Sequence, residues 1–239
     1  MKPVALITGM QMEAQCLDAL TRYLPLEQRP YIHCAGPGPV RATIACQYIE
    51  QRIISGIVSI GVAGGLDPEL VAGTLLVPAA IINSDHQLME TDANWCANFS
   101  AALPSKPPST LQIGTDVAIT NSKEKERLFR EYKAHAVDME SHILGEYAKE
   151  RGVPFIVIRS VADTAKDTIP EAALAGLGVT GNIRPLQVIR QLLPNPKQIP
   201  AVLKLARGNM AAINALKKML KLQLSHPEVN SKKEQKKKI

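Results

Sequence analysis

The chain has 239 residues, of which 46% are hydrophobic, which is enough apolar material for one α/β core and gives no sign of a second domain. No run approaches the roughly 20 apolar residues of a membrane span, and the polar Gln11 and Glu13 come too early for a signal-peptide core. We therefore expect a cytoplasmic protein.

The formal net charge of +6 is concentrated near the C-terminal end of the chain. Residues 201–239 contain ten Lys or Arg against Glu228 and Glu234, a net of +8, which leaves residues 1–200 at −2. A globular part with this balance offers no basic face for nucleic acid, so we expect no nucleic-acid partner.

The cysteine pattern indicates neither a disulfide framework nor a metal site. The four cysteines form no C-x-x-C pair and no Cys/His cluster with metal-ligand spacing. We expect reduced thiols, no bound metal and no cofactor. The cysteines are Cys16, Cys34, Cys46 and Cys96.

Apolar, β-branched runs alternate along the chain with helical patterns. Strands are predicted at 4–9, 32–36, 56–61, 74–82, 115–120, 136–139 and 155–163. Helices are predicted at 13–24, 40–52, 123–132, 140–151 and 183–193. This alternation predicts an α/β fold with three layers, in which helices flank a mostly parallel central sheet.

The C-terminal part begins with a break in the helical pattern at "PNPKQIP" (194–200). An amphipathic helix is predicted from about 201 to 222, followed by a polar, lysine-rich segment with few apolar residues. We therefore expect a single domain over residues 1–224, with a disordered tail at 225–239.

Acidic residues follow the ends of several predicted strands. Glu13, Asp138, Glu140 and Asp163 all occupy such positions, and the small residues of "GVAGG" (61–65) form a predicted turn after another strand. Taken singly, each acid could be a helix-start or turn residue. Because ligands bind beyond the carboxyl ends of parallel strands, the four acids together predict one site at that edge of the sheet.

These segments resemble a known superfamily. "GVAGGLDPELVAGTLLV", "AVDMES" and "GVPFIVIRSVAD", with "ITGMQMEA" near the start, are similar to the nucleoside phosphorylase/nucleosidase superfamily over roughly residues 4–165. "TDANW", the Asp-Met-Glu-Ser-His form of the central motif, "VAD" and the basic C-terminal helix resemble its hopanoid-associated branch, the adenosylhopane nucleosidases or hopanoid-associated phosphorylases.

The resemblance implies a role for each matching residue. Asp163 would donate a proton to N7 of the departing purine, and Glu13 would help to activate the attacking water. Glu140 would bind the ribose hydroxyls and Met139 would pack on the sugar. Arg159 would orient the water or the carboxylates.

Other matching positions are assigned to substrate binding. They are Asp138, which is shorter than the Glu of the family motif, and the glycine-segment residues Val62, Ala63 and Gly64. Val62 and Ala162 replace serines that family members often carry. The hexameric purine enzymes of the superfamily supply a cation just before the glycine segment, whereas "VSIGVAGG" contains no Arg or Lys. This difference favours water over phosphate as the nucleophile, although Arg41 could still bind an anion.

The implied reaction is hydrolysis of the N-glycosidic bond of adenosylhopane to adenine and ribosylhopane, without a metal or cofactor. Open alternatives are a 5′-methylthioadenosine/S-adenosylhomocysteine nucleosidase, a phosphate-dependent phosphorylase, and a non-catalytic nucleoside-binding membrane adaptor. A homo-oligomer is expected. A lipid-linked substrate also suggests peripheral binding to an anionic membrane through Lys217, Lys218, Lys221 and the lysines of 232–238.

Overall fold

The computed structural model describes residues 2–101 and 110–225, and in these ranges the chain forms nine strands and eight α-helices. The strands are β1 (Val4–Thr8), β2 (Tyr31–Cys34), β3 (Gly56–Gly65), β4 (Leu75–Leu76), β5 (Pro78–Ile82), β6 (Leu88–Glu90), β7 (Thr110–Gly114), β8 (Ala136–Asp138) and β9 (Phe155–Asp163). The helices are α1 (Gln11–Thr21), α2 (Pro39–Glu50), α3 (Ala93–Ala101), α4 (Ser122–Tyr132), α5 (Ser141–Glu150), α6 (Glu171–Ala175), α7 (Pro185–Leu192) and α8 (Ile199–Ser225).

The strands described form one sheet in the order β2-β1-β3-β8-β7-β5-β6, and β9 pairs with β3 and β4. Strand β1 is parallel to β2 and β3, β3 is parallel to β9, and β7 is parallel to β5 and β8. The pairs β3–β8, β4–β9 and β5–β6 are antiparallel. The prediction of a mostly parallel sheet is therefore confirmed.

Helices cover both faces of this sheet, as strand β9 illustrates. Phe155 and Val157 pack with α2 and α5 on one face, whereas Ile156 and Ile158 pack with α1 and α8 on the other. Successive side chains of a strand point to opposite faces, so a strand buried on both sides needs a continuous apolar run. The result is the three-layer α/β architecture that the sequence predicts.

Strand prediction is wrong at two places near the sheet edge. The segment 115–120 is not a strand, because the ladder with β8 ends where Gly114 pairs with Asp138, and the strand in this region is β7. The single strand predicted at 74–82 is divided into β4, which pairs with β9, and β5, which pairs with β6 and β7. Pro78, which lacks a backbone N–H, begins β5.

The glycine segment also differs from its prediction as a turn. Residues 61–65 continue strand β3, pairing with β9 and, at Gly64 and Gly65, with β8. The small side chains leave room for this close pairing and for groups that approach from the cavity. The six predicted helices are all present, with ends that differ by a few residues.

The C-terminal helix α8 is longer than its predicted range, since it runs from Ile199 to Ser225. Its buried Ile213, Leu216 and Met219 pack against the sheet. The tail predicted as disordered lies outside the described residues from 226 onward. No helix in the described ranges is long and apolar enough to cross a bilayer.

Candidate active site

A cavity of about 320 Å³ lies at the carboxyl ends of β1, β3, β8 and β9. This volume falls in the range of small-molecule sites. All nine residues proposed for the site contribute to its wall. They are Glu13, Val62, Ala63, Gly64, Asp138, Met139, Glu140, Arg159 and Asp163.

Glu13 is fixed at the beginning of α1 by backbone donors from two strand ends. Its Oε2 accepts hydrogen bonds from the N–H groups of Gly9 (3.1 Å) and Met10 (2.9 Å), and its Oε1 accepts one from Val62 (2.8 Å). A Cβ at Gly61 would lie 2.6 Å from Oε1, so only glycine leaves space for the carboxylate. Burial raises the pKa of Glu13, although the backbone hydrogen bonds oppose the rise.

Glu140 is the residue preceding α5 and reaches the turn before α2. Its Oε1 accepts a hydrogen bond from the N–H of Gly38 (2.8 Å), and its carboxyl carbon would lie 3.4 Å from a Cβ at Gly9. Glu140 and Glu13 therefore approach the same glycine. Burial, with the negative charge of Asp138, raises the pKa of Glu140 to about 7.

Asp138 ends β8 and is engaged within the protein. Its carboxylate accepts hydrogen bonds from Arg159 Nε (2.7 Å), Gln112 Nε2 (2.8 Å) and Ser141 Oγ (2.7 Å). Arg159 also donates to Ser59 Oγ (2.7 Å). Arg159 is therefore bound to the Asp138 carboxylate, while the roles of Arg159 and Asp138 toward water or substrate stay predictions.

The position of Asp163 depends on a register shift at the end of β9. Ala63 of β3 pairs with Val161, but the next residue, Gly64, pairs with Asp163, so Ala162 is an additional residue in β9. The Asp163 carboxylate forms an ion pair with Lys125. Burial raises the pKa of Asp163, and the adjacent Lys125 opposes the rise.

Lys125 contacts Asp163 without lining the cavity, and the sequence analysis missed it. It is fully buried on α4, and besides Asp163 its Nζ donates to the carbonyl oxygens of Thr164 (2.9 Å) and Asp167 (3.1 Å). In the sequence it belongs to the charged run "SKEKER", which is typical of a solvated helix face. No local signal distinguishes Lys125 from its exposed neighbours.

Much of the remaining wall of the cavity is apolar and comes from the C-terminal part of the chain. Helix α6 and the segment after it, α7 and α8 all contribute side chains. They are Ala173, Leu174, Leu177, Ile183, Val188, Val202, Leu205 and Ala206. The cavity therefore joins a carboxylate-rich end on the sheet to an apolar end under these helices.

Cations and metal ligands are sparse around the cavity. Within the described residues, Arg159 is the only cation of its wall, and Asp138 neutralises it. Arg41 is not part of the wall, and its Nε donates to the carbonyl oxygen of Ala35 (2.7 Å). The same ranges hold no group of three or more His, Cys, Asp or Glu side chains placed to bind a metal ion.

The fold and the carboxylate-lined cavity define an α/β protein with a small-molecule site at the carboxyl edge of its sheet. The chain belongs to the phosphorylase superfamily, whose family model matches residues 15–177. This match confirms the superfamily that the sequence motifs predicted.

Two curated relatives are 5′-methylthioadenosine/S-adenosylhomocysteine nucleosidases. The enzyme of Treponema pallidum (strain Nichols) is 24% identical over 175 residues, which cover 55% of this chain and 65% of that enzyme. The enzyme of Marinomonas sp. (strain MWYL1) is 26% identical over 183 residues, covering 67% of this chain and 79% of the relative. The chain thus spans just under two thirds of the Treponema enzyme.

Solved structures share the fold over nearly the whole chain. The futalosine hydrolase of Helicobacter pylori superposes with a TM-score of 0.71 at 17% identity, covering 94% of this chain and 98% of that one. The 5′-methylthioadenosine/S-adenosylhomocysteine nucleosidase of Neisseria meningitidis gives a TM-score of 0.71 at 16% identity, covering 94% and 99%. At this identity the likeness establishes the fold.

Proposed function

We propose that this protein hydrolyses the N-glycosidic bond of an adenine nucleoside. The observation that carries the proposal is the meeting of Glu13, Glu140 and Asp163 at one cavity. Cleavage of such a bond passes through an oxocarbenium-like state, which carboxylates near the ribose stabilise while an acid neutralises the leaving group. The two curated relatives are named as nucleosidases, which supports this reaction class.

Each carboxylate has a distinct part in the proposed reaction. Asp163 protonates N7 of adenine, which its raised pKa favours. Glu140 accepts hydrogen bonds from the ribose hydroxyls next to Met139. Glu13, held by three backbone N–H groups, positions and activates the attacking water.

Water is the proposed nucleophile because the cavity is poor in cations. A phosphate ion would bring negative charge to a wall that already holds four carboxyl groups, and the cation described there, Arg159, is engaged with Asp138. Arg41 directs its Nε to a backbone carbonyl. Hydrolysis is therefore favoured over phosphorolysis.

The proposed substrate is adenosylhopane, which would yield adenine and ribosylhopane and place the protein in the hopanoid-associated branch. The apolar wall under α6, α7 and α8 supports a large hydrocarbon substituent on the ribose, because burial of such a group is favourable only against apolar side chains. A cavity of about 320 Å³ accommodates the nucleoside and the beginning of that substituent.

The alternative substrate is 5′-methylthioadenosine or S-adenosylhomocysteine, which the names of the curated relatives favour. Both candidates present adenine and ribose to the same carboxylates. They differ in the group at the 5′ carbon, and therefore in the use of the apolar wall.

The deciding experiment incubates the full chain with adenosylhopane, with and without phosphate, and identifies the sugar product by mass spectrometry. Hydrolysis gives ribosylhopane under both conditions, whereas phosphorolysis gives a ribosyl phosphate that requires phosphate. Parallel assays with 5′-methylthioadenosine compare kcat/KM. Asp163→Asn is the inactive control, and release of adenine from neither nucleoside would leave a non-catalytic adaptor as the remaining interpretation.

We also propose a cytoplasmic, peripheral location at an anionic membrane and assembly into a homo-oligomer. Lys217 and Lys218 on α8 are exposed, and Lys221 follows on the same helix, while the lysines of 232–238 lie outside the described residues. Each basic residue near an anionic surface contributes about 1 kcal/mol to binding. Truncation after Leu224 tests this contribution by flotation with anionic vesicles.

A further inference from the structure

Helix α7 carries two apolar faces. Val188 points inward, lines the cavity and would lie 2.2 Å from a Cβ at Gly176. Leu186, Ile189 and Leu193 lie at helical spacing on the opposite side, where 81%, 53% and 76% of their surfaces are exposed. Large apolar side chains exposed together in this way usually mark a binding surface.

The charges around this outer face have one sign. No Asp or Glu occurs between Glu171 and Glu228, a stretch that contains eight Lys or Arg. Arg184 and Arg190 belong to α7 and its N-terminal flank, and both are exposed. Arg190 lies four residues after Leu186 and therefore on the same face of α7.

We propose that the outer face of α7, formed by Leu186, Ile189, Arg190 and Leu193, binds the surface of an anionic lipid bilayer and places the apolar end of the cavity at the membrane. An apolar stripe bordered by basic residues matches the lipid interface, where hydrocarbon lies beneath anionic headgroups. This proposal rests on the proposed function, because a lipid-linked nucleoside must enter from a bilayer.

A second copy of the chain fits this face less well than a bilayer does. In a twofold contact the same patch meets itself, which would bring Arg184 and Arg190 toward the basic residues of the other copy. The described part of the stretch after Glu171 holds no acid that could balance them. Lipid headgroups supply the missing negative charge.

The experiment measures flotation of the full chain with vesicles that contain phosphatidylcholine and about one third phosphatidylglycerol, without any nucleoside lipid. We expect Leu186→Ser combined with Ile189→Ser to lower the bound-to-free ratio by at least about tenfold, because the interfacial affinity scales with buried apolar area. The matched control is Tyr23→Ser combined with Leu26→Ser. These two side chains are 79% and 78% exposed, similar to those of α7, and they follow the end of α1.

Two further measurements separate this surface from the lysine tail and from the catalytic proposal. A chain truncated after Leu224 retains sensitivity to the α7 substitutions if α7 contacts lipid directly. Hydrolysis of 5′-methylthioadenosine in solution shows whether the variants remain folded, and it reports the catalytic proposal independently of vesicle binding.

Equal vesicle binding by wild type and the α7 variant would overturn the proposal. The proposal would also be overturned if the α7 variant bound vesicles as wild type does but lost self-association in analytical ultracentrifugation. The outer face of α7 would then be a contact between two copies of the chain. Vesicle binding without turnover of adenosylhopane would instead contradict the proposed substrate and leave the docking surface in place.

Discussion

Three carboxyl groups meet at the cavity, two of them held by backbone N–H groups and one by a lysine. Glu13 receives three backbone hydrogen bonds, Glu140 receives one from Gly38, and Asp163 forms an ion pair with Lys125. A fourth acid, Asp138, is neutralised by Arg159. Because burial of a charge is costly without such partners, these contacts determine which acids carry protons and which remain ionised.

Replacement of Asp163 by Asn tests its proposed role as the general acid. The amide keeps the shape of the side chain and can accept the hydrogen bond from Lys125, but it cannot deliver a proton to N7. We expect adenine release to fall by about 100- to 10,000-fold while thermal unfolding changes little. Turnover within a few fold of wild type would remove Asp163 from the mechanism.

Replacement of Lys125 by Met tests whether this buried lysine sets the protonation of Asp163. Lys125 favours the carboxylate form, so its loss raises the pKa of Asp163 further above the ordinary value. The alkaline limb of the kcat/KM profile, where the acid loses its proton, should therefore move up by about one pH unit or more.

The control for this variant is Lys204→Met. Lys204 is paired with Asp167, in the loop that follows Asp163, and its removal leaves the contacts of Asp163 unchanged. Thermal unfolding of both variants verifies that they fold. If the profile of a folded Lys125→Met protein coincides with that of wild type, Lys125 has a structural role alone.

At the scale of elements, strands β3 and β9 together build most of the carboxylate-rich end of the cavity. Gly61 pairs with Arg159 and Gly64 pairs with Asp163, so each glycine lies beside a residue of the proposed site on the neighbouring strand. The absence of a side chain on β3 lets Glu13 approach from α1. The glycine segment is thus part of the sheet, and the absence of side chains at its glycines leaves space for the neighbouring carboxylates.

Replacement of Gly61 by Ala tests this spatial requirement. The new Cβ would lie 2.6 Å from Glu13 Oε1 and must displace the carboxylate, whereas the strand backbone itself suits alanine. We expect kcat/KM to fall by about 100-fold, since a displacement of about 1 Å has that cost. Gly64→Ala is the comparison, because its Cβ would meet Asp163 Oδ2 at 3.4 Å, and an equal or larger loss there would contradict the argument.

At the scale of the whole molecule, the active site should make the free protein less stable as the pH rises. Glu140 has a pKa of about 7 in the folded protein against 4.5 ordinarily, so between these values the folded state binds more protons than the unfolded state. The contribution of Glu140 to stability is then fully present below about pH 4.5 and is lost as the pH rises through about 7. Glu13 and Asp163, whose pKa values are also raised, act in the same direction.

Urea unfolding at pH 5 and pH 7 measures this effect when wild type is compared with Glu140→Gln. The variant lacks the titrating group and does not lose this contribution as the pH rises. From pH 5 to pH 7 its free energy of unfolding should therefore increase by about 1–3 kcal/mol relative to that of wild type. The surface substitution Glu126→Gln is the control. An unchanged difference between wild type and Glu140→Gln at the two pH values would refute the shifted protonation of Glu140.

The layered α/β fold could be predicted from the sequence because it depends on local signals, namely continuous apolar runs for strands buried on both faces and helical spacing. The resemblance of short motifs identified the superfamily and nine of the residues that line the cavity, but not the apolar wall under α6, α7 and α8. Other features depend on partners that are distant in the chain and could not be predicted from it: 61–65 is a strand, 115–120 is not, and Asp138 is paired with Arg159. Lys125 is the clearest case of a residue whose environment the sequence does not reveal. It belongs to a charged helix, but the packing of α4 against the end of β9 buries it and brings its ammonium group to Asp163.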